Sequence, residues 1–222
     1  MESKLKAVFP LLQRHGRSEK RELPVWHSST EPYERLVAEL LLRRTTRVAA
    51  ERVFTTFVRQ YSSWEALASA DQAEIAEAVK QLGLSNQRSQ YLSELARKVL
   101  EKHEGSLPER KSELKNLPGV GEYTADAVRL YAFQKCAFPV DGGVQRVLRR
   151  LLGFEKVSKS EHSEPYRDQV IKEAISIVSN VYCPRGLSNA HRGALLISWS
   201  ACKSKNPLCS TCKLEPKCLY GK

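Results

Sequence analysis

The chain has 222 residues, of which 41% are hydrophobic and 27% are charged, a balance that supports a packed core and excludes a disordered or fibrous protein. Its 36 Lys and Arg residues outnumber 25 Asp and Glu residues, and the resulting formal charge of +11 favours a polyanionic partner such as nucleic acid. No apolar run is long enough to span a membrane, and the first residues resemble no export signal, so we expect a cytoplasmic protein without a membrane partner.

Helical periodicity runs along most of the chain, and strand-like alternation is almost absent. Turns are predicted where Pro and Gly interrupt the pattern. The sequence therefore predicts an all-α protein of about ten helices. Apolar residues recur with a period of about 3.6 in four segments, which are Leu36 to Leu41, Val48 to Phe57, Ile75 to Leu82 and Leu92 to Leu100.

A Gly-containing turn, Leu-Pro-Gly-Val-Gly at residues 117–121, lies between predicted helices at 112–116 and 124–133. Two helices joined by such a turn form a helix-hairpin-helix. Glycine lets backbone N–H groups approach a phosphate closely at the start of the second helix. The amides of Gly119, Val120 and Gly121 would then bind phosphates without selecting a sequence, and an ordinary interhelical turn is the alternative.

Three further side chains are candidates for chemistry, although each also has a structural explanation. Asp141 lies at the predicted start of a helix, where it would act as an N-cap. Glu39 lies in an apolar helix, where it either faces solvent or needs a partner or a task. Tyr123 follows the hairpin by two residues and could simply pack in the core.

Four of the six cysteines lie in the last 21 residues with the spacing C-x6-C-x2-C-x5-C. Four thiolates in a short loop can bind zinc or an iron–sulfur cluster, and two disulfides are the remaining alternative. The unequal spacing differs from the paired knuckles of zinc ribbons and favours a [4Fe-4S] cluster. We expect Cys136 and Cys183 to be buried thiols. The predicted cluster ligands are Cys202, Cys209, Cys212 and Cys218.

Together, the hairpin, the Val-Asp pair about twenty residues later and the four terminal cysteines resemble the endonuclease III superfamily of DNA glycosylases, from about Leu23 to Cys218. Two segments, ELLLRRTT at residues 39–46 and GLSNQR at residues 83–88, resemble its thymine-DNA mismatch glycosylase branch.

The resemblance implies a two-lobed, all-α helix-hairpin-helix glycosylase fold. A six-helix barrel lobe with the hairpin would comprise residues 29–136, and a [4Fe-4S] cluster lobe would comprise residues 1–28 plus 137–222. Double-stranded DNA would lie across the cleft between the lobes, with a mismatched or damaged base flipped into a pocket. The implied enzyme is a monomer that is associated with the nucleoid in the cytoplasm of a prokaryote.

The resemblance also implies a role for each candidate side chain. Asp141 would stabilise the oxocarbenium character that develops as the N-glycosidic bond breaks, or assist water. Tyr123 stands where bifunctional relatives have a Lys that forms a Schiff base, so we expect a monofunctional glycosylase that excises T or U mispaired with G. Glu39 would contact the base or position a proton.

DNA-contacting residues follow from the same resemblance. Arg44 would fill the gap left by the extruded base, and Leu84 would wedge beside the estranged partner base. Lys203 and Lys205, with the hairpin amides, would hold phosphates.

Two features leave the choice of base open. Gly143 stands where the mismatch branch usually has Asn, and Glu39, Tyr123 and Asp141 also match adenine DNA glycosylases that act on A opposite 8-oxoguanine or G. Those enzymes usually have Gln-Gln-Thr where this chain has Arg-Arg-Thr at residues 43–45, which favours the thymine branch. A protein that binds damaged DNA without a reaction is a third hypothesis.

Overall fold

A computed structural model describes residues 1–19, 23–27, 29–154, 165–183 and 186–220. Every regular element in these ranges is a helix, which confirms the all-α prediction. No helix in them is both long enough and apolar enough to cross a membrane. The chain divides into two compact units: a terminal unit, Met1–Leu23 with Gln134–Lys222, and a central unit, Pro24–Phe133.

Eleven α-helices lie in the described residues, close to the predicted number of about ten. Short 3-10 turns, including Val25–His27 and Lys80–Leu82, connect some of them. The helices are α1 Glu2–Ser18, α2 Pro32–Leu42, α3 Arg47–Gln60, α4 Trp64–Ser69, α5 Gln72–Ala78, α6 Ser85–His103, α7 Lys111–Lys115, α8 Glu122–Tyr131, α9 Gly142–Leu152, α10 Gln169–Tyr182 and α11 Leu187–Ser200.

The predicted apolar stripes form the core of the central unit. Leu36 and Leu41 on α2 are fully buried, as are Ile75 and Leu92 on its neighbouring helices. Full burial of such a side chain stabilises the fold by about 1.5–3 kcal/mol. Val48 departs from the prediction, since it lies in the first turn of α3 and is 52% exposed. Helix α2 is buried along most of its length, so its polar residues Arg35 and Glu39 are buried as well.

In the terminal unit, α1 packs closely along α11. A Cβ at Gly16 would overlap the carbonyl oxygen of Asn189, and one at Gly193 would overlap that of Leu12. The two glycines therefore allow the helix backbones to come into direct contact. Phe9 on α1 also stacks on Tyr182, with ring centroids 4.5 Å apart.

A disulfide joins Cys136 to Cys183, so the prediction of two buried thiols was wrong. Their Cα atoms are 5.4 Å apart, within the usual range for a disulfide. Cys136 is exposed and Cys183 is half-buried, which the helical pattern around them does not reveal. The bond joins residues that are 47 positions apart in sequence, and the chain between them includes α9 and Asp141.

We expect this disulfide to contribute measurably to thermal stability. The chain-entropy model gives about 4 kcal/mol for a loop of this length. The double variant Cys136→Ser/Cys183→Ser should therefore unfold several degrees below the wild type in a thermal melt followed by circular dichroism. Dithiothreitol should lower the Tm of the wild type but not that of the double variant. Equal shifts in both proteins would show that the reductant acts on the other four cysteines instead.

Candidate functional site

Glu39 points into the central unit and is only 4% exposed, which excludes a solvent-facing position. Arg35, one helical turn earlier on α2, is wholly buried and donates a hydrogen bond from Nη2 to Oε1 of Glu39. Its guanidinium also donates to the Trp26 carbonyl at 3.4 Å and lies 4.1 Å from the centre of the Tyr131 ring. The burial of Glu39 is therefore compensated by a cation.

This pairing limits the chemistry of Glu39. A guanidinium does not lose its proton in a protein, so Arg35 supplies a permanent positive charge beside the carboxylate. The hydrogen bond from this cation fixes the orientation of the Glu39 carboxylate. Such a group is suited to accept a hydrogen bond from a base rather than to donate a proton to it.

We expect Arg35→Met to lower the free energy of unfolding by about 3–5 kcal/mol, because it leaves a buried carboxylate without its partner. The double variant Arg35→Met/Glu39→Leu should recover most of the loss, since it replaces the pair with apolar side chains. Urea denaturation measures both differences. A double variant no more stable than Arg35→Met would show that the ion pair does not account for the effect.

The structure forms the predicted hairpin between α7 and α8. Gly119 has a φ of 78° and Gly121 caps α8, so the glycines provide both the turn and the exposed N–H groups of the helix start. Arg43 donates to the Gly119 carbonyl at 3.2 Å, which fixes the turn against the end of α2. A Cβ at Gly119 would lie only 3.0 Å from a methyl group of Leu40. Tyr123 lies half-buried in the first turn of α8.

Arg44 and Leu84 border one pocket of about 70 Å³ in the central unit, together with Gln87 and Tyr91. Both Arg44 and Leu84 have left-handed backbone conformations, with φ of 51° and 52°. This conformation costs a non-glycine residue about 1–3 kcal/mol and is concentrated at functional positions. Leu84 is also 53% exposed, which suits a side chain that contacts a partner.

Arg88 holds the loop that carries Arg44. It donates to the carbonyls of Leu40 at 2.7 Å, Leu41 at 3.2 Å and Arg43 at 2.9 Å. These carbonyls lie at the C-terminal end of α2, where the regular i→i−4 bonds run out, and the Leu40 carbonyl also accepts from the Arg43 N–H at 3.4 Å. Burial, and to a smaller extent the charge of Arg43, lowers the pKa of Arg88, but a guanidinium remains a cation.

Asp141 belongs to the terminal unit and is the N-cap of α9, as predicted. Its Oδ1 accepts a hydrogen bond from the Val144 backbone N–H at 2.7 Å. The side chain is only half-buried. The positive end of the helix dipole stabilises its negative charge. The carboxylate is thus fixed in direction and accessible.

A buried network fixes α9 against the start of α10. Asp168, fully buried, accepts hydrogen bonds from Arg149 at 2.8 Å and from Gln145 at 2.8 Å. The same carboxylate caps α10 through the backbone N–H of Val170 at 3.0 Å. Asp168 therefore ties the helix that carries Asp141 to the start of α10.

The four C-terminal cysteines are unbonded and line a single cavity of about 310 Å³. Burial raises the pKa of the Cys212 thiol; a backbone hydrogen bond at Leu214 lowers it, and the charges of the other three thiols raise it again. Within the described ranges, no three His, Cys, Asp or Glu residues are grouped as ligands of a metal ion. Four thiolates are the donor set of a tetrahedral zinc site and of a [4Fe-4S] cluster alike.

Arginine side chains of α9 connect this cysteine loop to the rest of the terminal unit. Arg146 donates to the Cys202 carbonyl at 2.8 Å, and Arg150 donates to the Lys203 carbonyl at 2.7 Å. Arg150 also lies 3.4 Å from the Cys202 sulfur. The Lys203 ammonium donates to the Trp199 carbonyl at the end of α11, whereas the Lys205 side chain is exposed.

Residues 37–173 match the model of the HhH-GPD superfamily of base excision DNA repair proteins. The chain belongs to this superfamily. The match includes the C-terminal half of α2, the hairpin and α9, so the family resemblance inferred from the sequence is confirmed.

Among HhH-GPD proteins, the chain is 36% identical over 203 residues to the thymine-DNA glycosylase of Aeropyrum pernix, which covers 90% of this chain and 87% of that protein. It is 33% identical to the thymine/uracil-DNA glycosylase of Methanothermobacter thermautotrophicus, with 91% and 88% covered. The solved structure of a thermostable thymine-DNA glycosylase superposes with a TM-score of 0.86 and 30% identity, and the match covers 98% of this chain and 96% of that one.

Proposed function

We propose that this HhH-GPD protein is a monofunctional DNA glycosylase of base excision repair, which flips out T or U mispaired with G and hydrolyses its N-glycosidic bond. The observation that carries the proposal is the Asp141 carboxylate, fixed at the accessible start of a helix that a buried network holds in place. The similarity to proteins named thymine-DNA and thymine/uracil-DNA glycosylases supports the choice of base.

Asp141 acts on the sugar. As the bond between C1′ and the base nitrogen breaks, positive charge develops on the sugar, and the adjacent carboxylate stabilises it. Water then forms a bond to C1′ and loses a proton, and an intact abasic site remains. Tyr123, at the start of α8, has no amine with which to form an imine, so no strand cleavage follows.

The Arg35–Glu39 pair favours a pyrimidine substrate over adenine. Thymine and uracil carry an N3–H donor, which an ionised carboxylate can accept. Adenine leaves readily only when a ring nitrogen is protonated, and Oε1 of Glu39 is already bound to Arg35 rather than free to deliver that proton. Excision of adenine is the alternative activity, and a panel of mismatched duplexes distinguishes the two.

Residues of both units contact DNA in this proposal. The amides of Gly119, Val120 and Gly121 bind phosphates, Arg44 fills the gap left by the flipped nucleotide, and Leu84 wedges beside the orphaned guanine. Lys203 and Lys205 bind further phosphates. The protein acts as a monomer at the nucleoid, with residues 29–136 forming the six-helix barrel lobe and residues 1–28 plus 137–222 forming the cluster lobe.

We also propose that the four C-terminal cysteines hold a [4Fe-4S] cluster, which would tie their loop together when bound. Four unbonded thiols on one cavity support this assignment. The neighbouring backbone is already attached to α9 by Arg146 and Arg150, so the ordered loop contributes to the position of the helix that carries Asp141.

Metal analysis tests the cluster. Protein purified without oxygen should contain about four iron atoms per chain and show the broad visible absorbance of an iron–sulfur cluster. Cys212→Ser should lose most of that absorbance, whereas Cys136→Ser should keep it. One zinc atom per chain without iron would contradict the assignment.

One panel of end-labelled duplexes tests the reaction. With G·T and G·U, we expect the T- or U-containing strand to break only after alkali treatment, because an abasic site is left intact. The panel also includes 8-oxoguanine·A and thymine glycol. Release of adenine would establish the alternative activity, and strand scission without alkali would refute the role assigned to Tyr123.

Asp141→Asn isolates the carboxylate in the same assay. Asn caps a helix about as well as Asp, so the fold should be preserved and the Tm should stay close to that of the wild type. The single-turnover rate of base release should fall by about 100-fold or more, while duplex binding persists. An undiminished rate would remove Asp141 from the mechanism.

A further inference from the structure

Gly143 is a glycine for reasons of space rather than backbone conformation. It lies in the first turn of α9, two residues after Asp141, and has no positive φ. Glycine in a helix costs about 0.5–1 kcal/mol relative to Ala, so some contact must favour it here. A Cβ at this position would lie 2.9 Å from Oγ and 3.1 Å from Cβ of Ser198. The side chain of Ser198 therefore occupies the volume that a residue at position 143 would need.

Ser198 brings a hydroxyl group close to Asp141. It lies in the last turn of α11, is 4% exposed, and donates its proton to the Leu195 carbonyl at 2.7 Å. Its oxygen can still accept hydrogen bonds. A Cβ built on Gly143 would lie 2.9 Å from the Ser198 Oγ and 3.2 Å from Oδ1 of Asp141. The two oxygens thus both lie within 3.2 Å of one point beside Gly143, a spacing that a single water molecule next to them can bridge.

Packing alone does not account for the hydroxyl. Alanine would fill nearly the same space and has a higher helix propensity than serine. A serine that bonds back to a carbonyl of its own helix slightly weakens that helix. The Oγ of Ser198 therefore contributes little to the stability of α11, and its position beside Asp141 suggests a role in the reaction.

We propose that Ser198 is a positioning residue for base release, an inference that rests on the glycosylase function proposed above. The attacking water donates one hydrogen bond to the Ser198 Oγ and its second hydrogen bond to the Asp141 carboxylate. The water oxygen bonds to C1′ as the C1′–N bond breaks, and the base leaves with the electron pair of that bond. The water proton passes to Asp141 and then to solvent, from which the departing base takes up a proton.

The first test removes only the hydroxyl. In Ser198→Ala, the single-turnover rate of T or U release from G mismatches should fall by about tenfold. Duplex affinity and Tm should stay at wild-type values, because neither depends on that oxygen. Ser200→Ala is the matched control: Ser200 makes the same kind of bond on α11, to the Leu196 carbonyl at 2.8 Å, but is exposed. It should react at the wild-type rate.

The second test moves the polar side chain from position 198 to position 143. Gly143→Asn alone should lose more activity than Ser198→Ala, because the new side chain meets Ser198. Gly143→Asn/Ser198→Gly should return to within a few-fold of the wild type, since the amide then has room and supplies the polar group. Such a recovery, measured alongside the Tm, is not expected if Ser198 has only a structural role.

Two results would overturn the inference: Ser198→Ala reacting as fast as Ser200→Ala, or a double variant no more active than Gly143→Asn. Both results presuppose that the wild type releases T or U. They can therefore be distinguished from a failure of the proposed function, in which the wild type releases neither base. If the wild type released neither base, the glycosylase assignment itself would fall, and this role of Ser198 with it.

Discussion

The arginine contacts of α9 are the interactions on which the candidate site depends most. Arg149 binds the buried carboxylate of Asp168, while Arg146 and Arg150 bind backbone carbonyls of the cysteine loop. Removing one partner of a buried ion pair typically costs about 3–5 kcal/mol, so these contacts favour a single position for the helix. Asp141 has a defined direction because its helix is fixed along two of its faces.

The central unit uses arginine in the same way. Arg88 binds the carbonyls at the end of α2, Arg43 binds the hairpin at Gly119, and Arg35 compensates the charge of Glu39. Arg35 and Arg88 are buried, and Arg43, although exposed, also binds the protein's own backbone, so several cations of this basic chain orient its loops. The formal charge of +11 overstates the charge that DNA would meet, and the distribution of the exposed Lys and Arg side chains matters more than their number.

The features that the sequence predicts correctly are those set by local spacing. The apolar stripe of α2, the turn between α7 and α8 and the capping position of Asp141 each depend on residues a few positions apart. The exposure of Val48 and the disulfide of Cys136 depend instead on which surfaces meet in the folded chain, which periodicity does not encode. Arg35 lies at a helical spacing from Glu39, but its complete burial became evident only with the packing around it.

The shared volume between Gly143 and Ser198 also constrains how this protein can change. A larger side chain at either position requires a smaller one at the other, so each looks intolerant when single substitutions are surveyed one at a time. Libraries meant to alter substrate range should randomise the two codons together, and a lineage moving between the two arrangements must pass through an intermediate that is either crowded or underpacked.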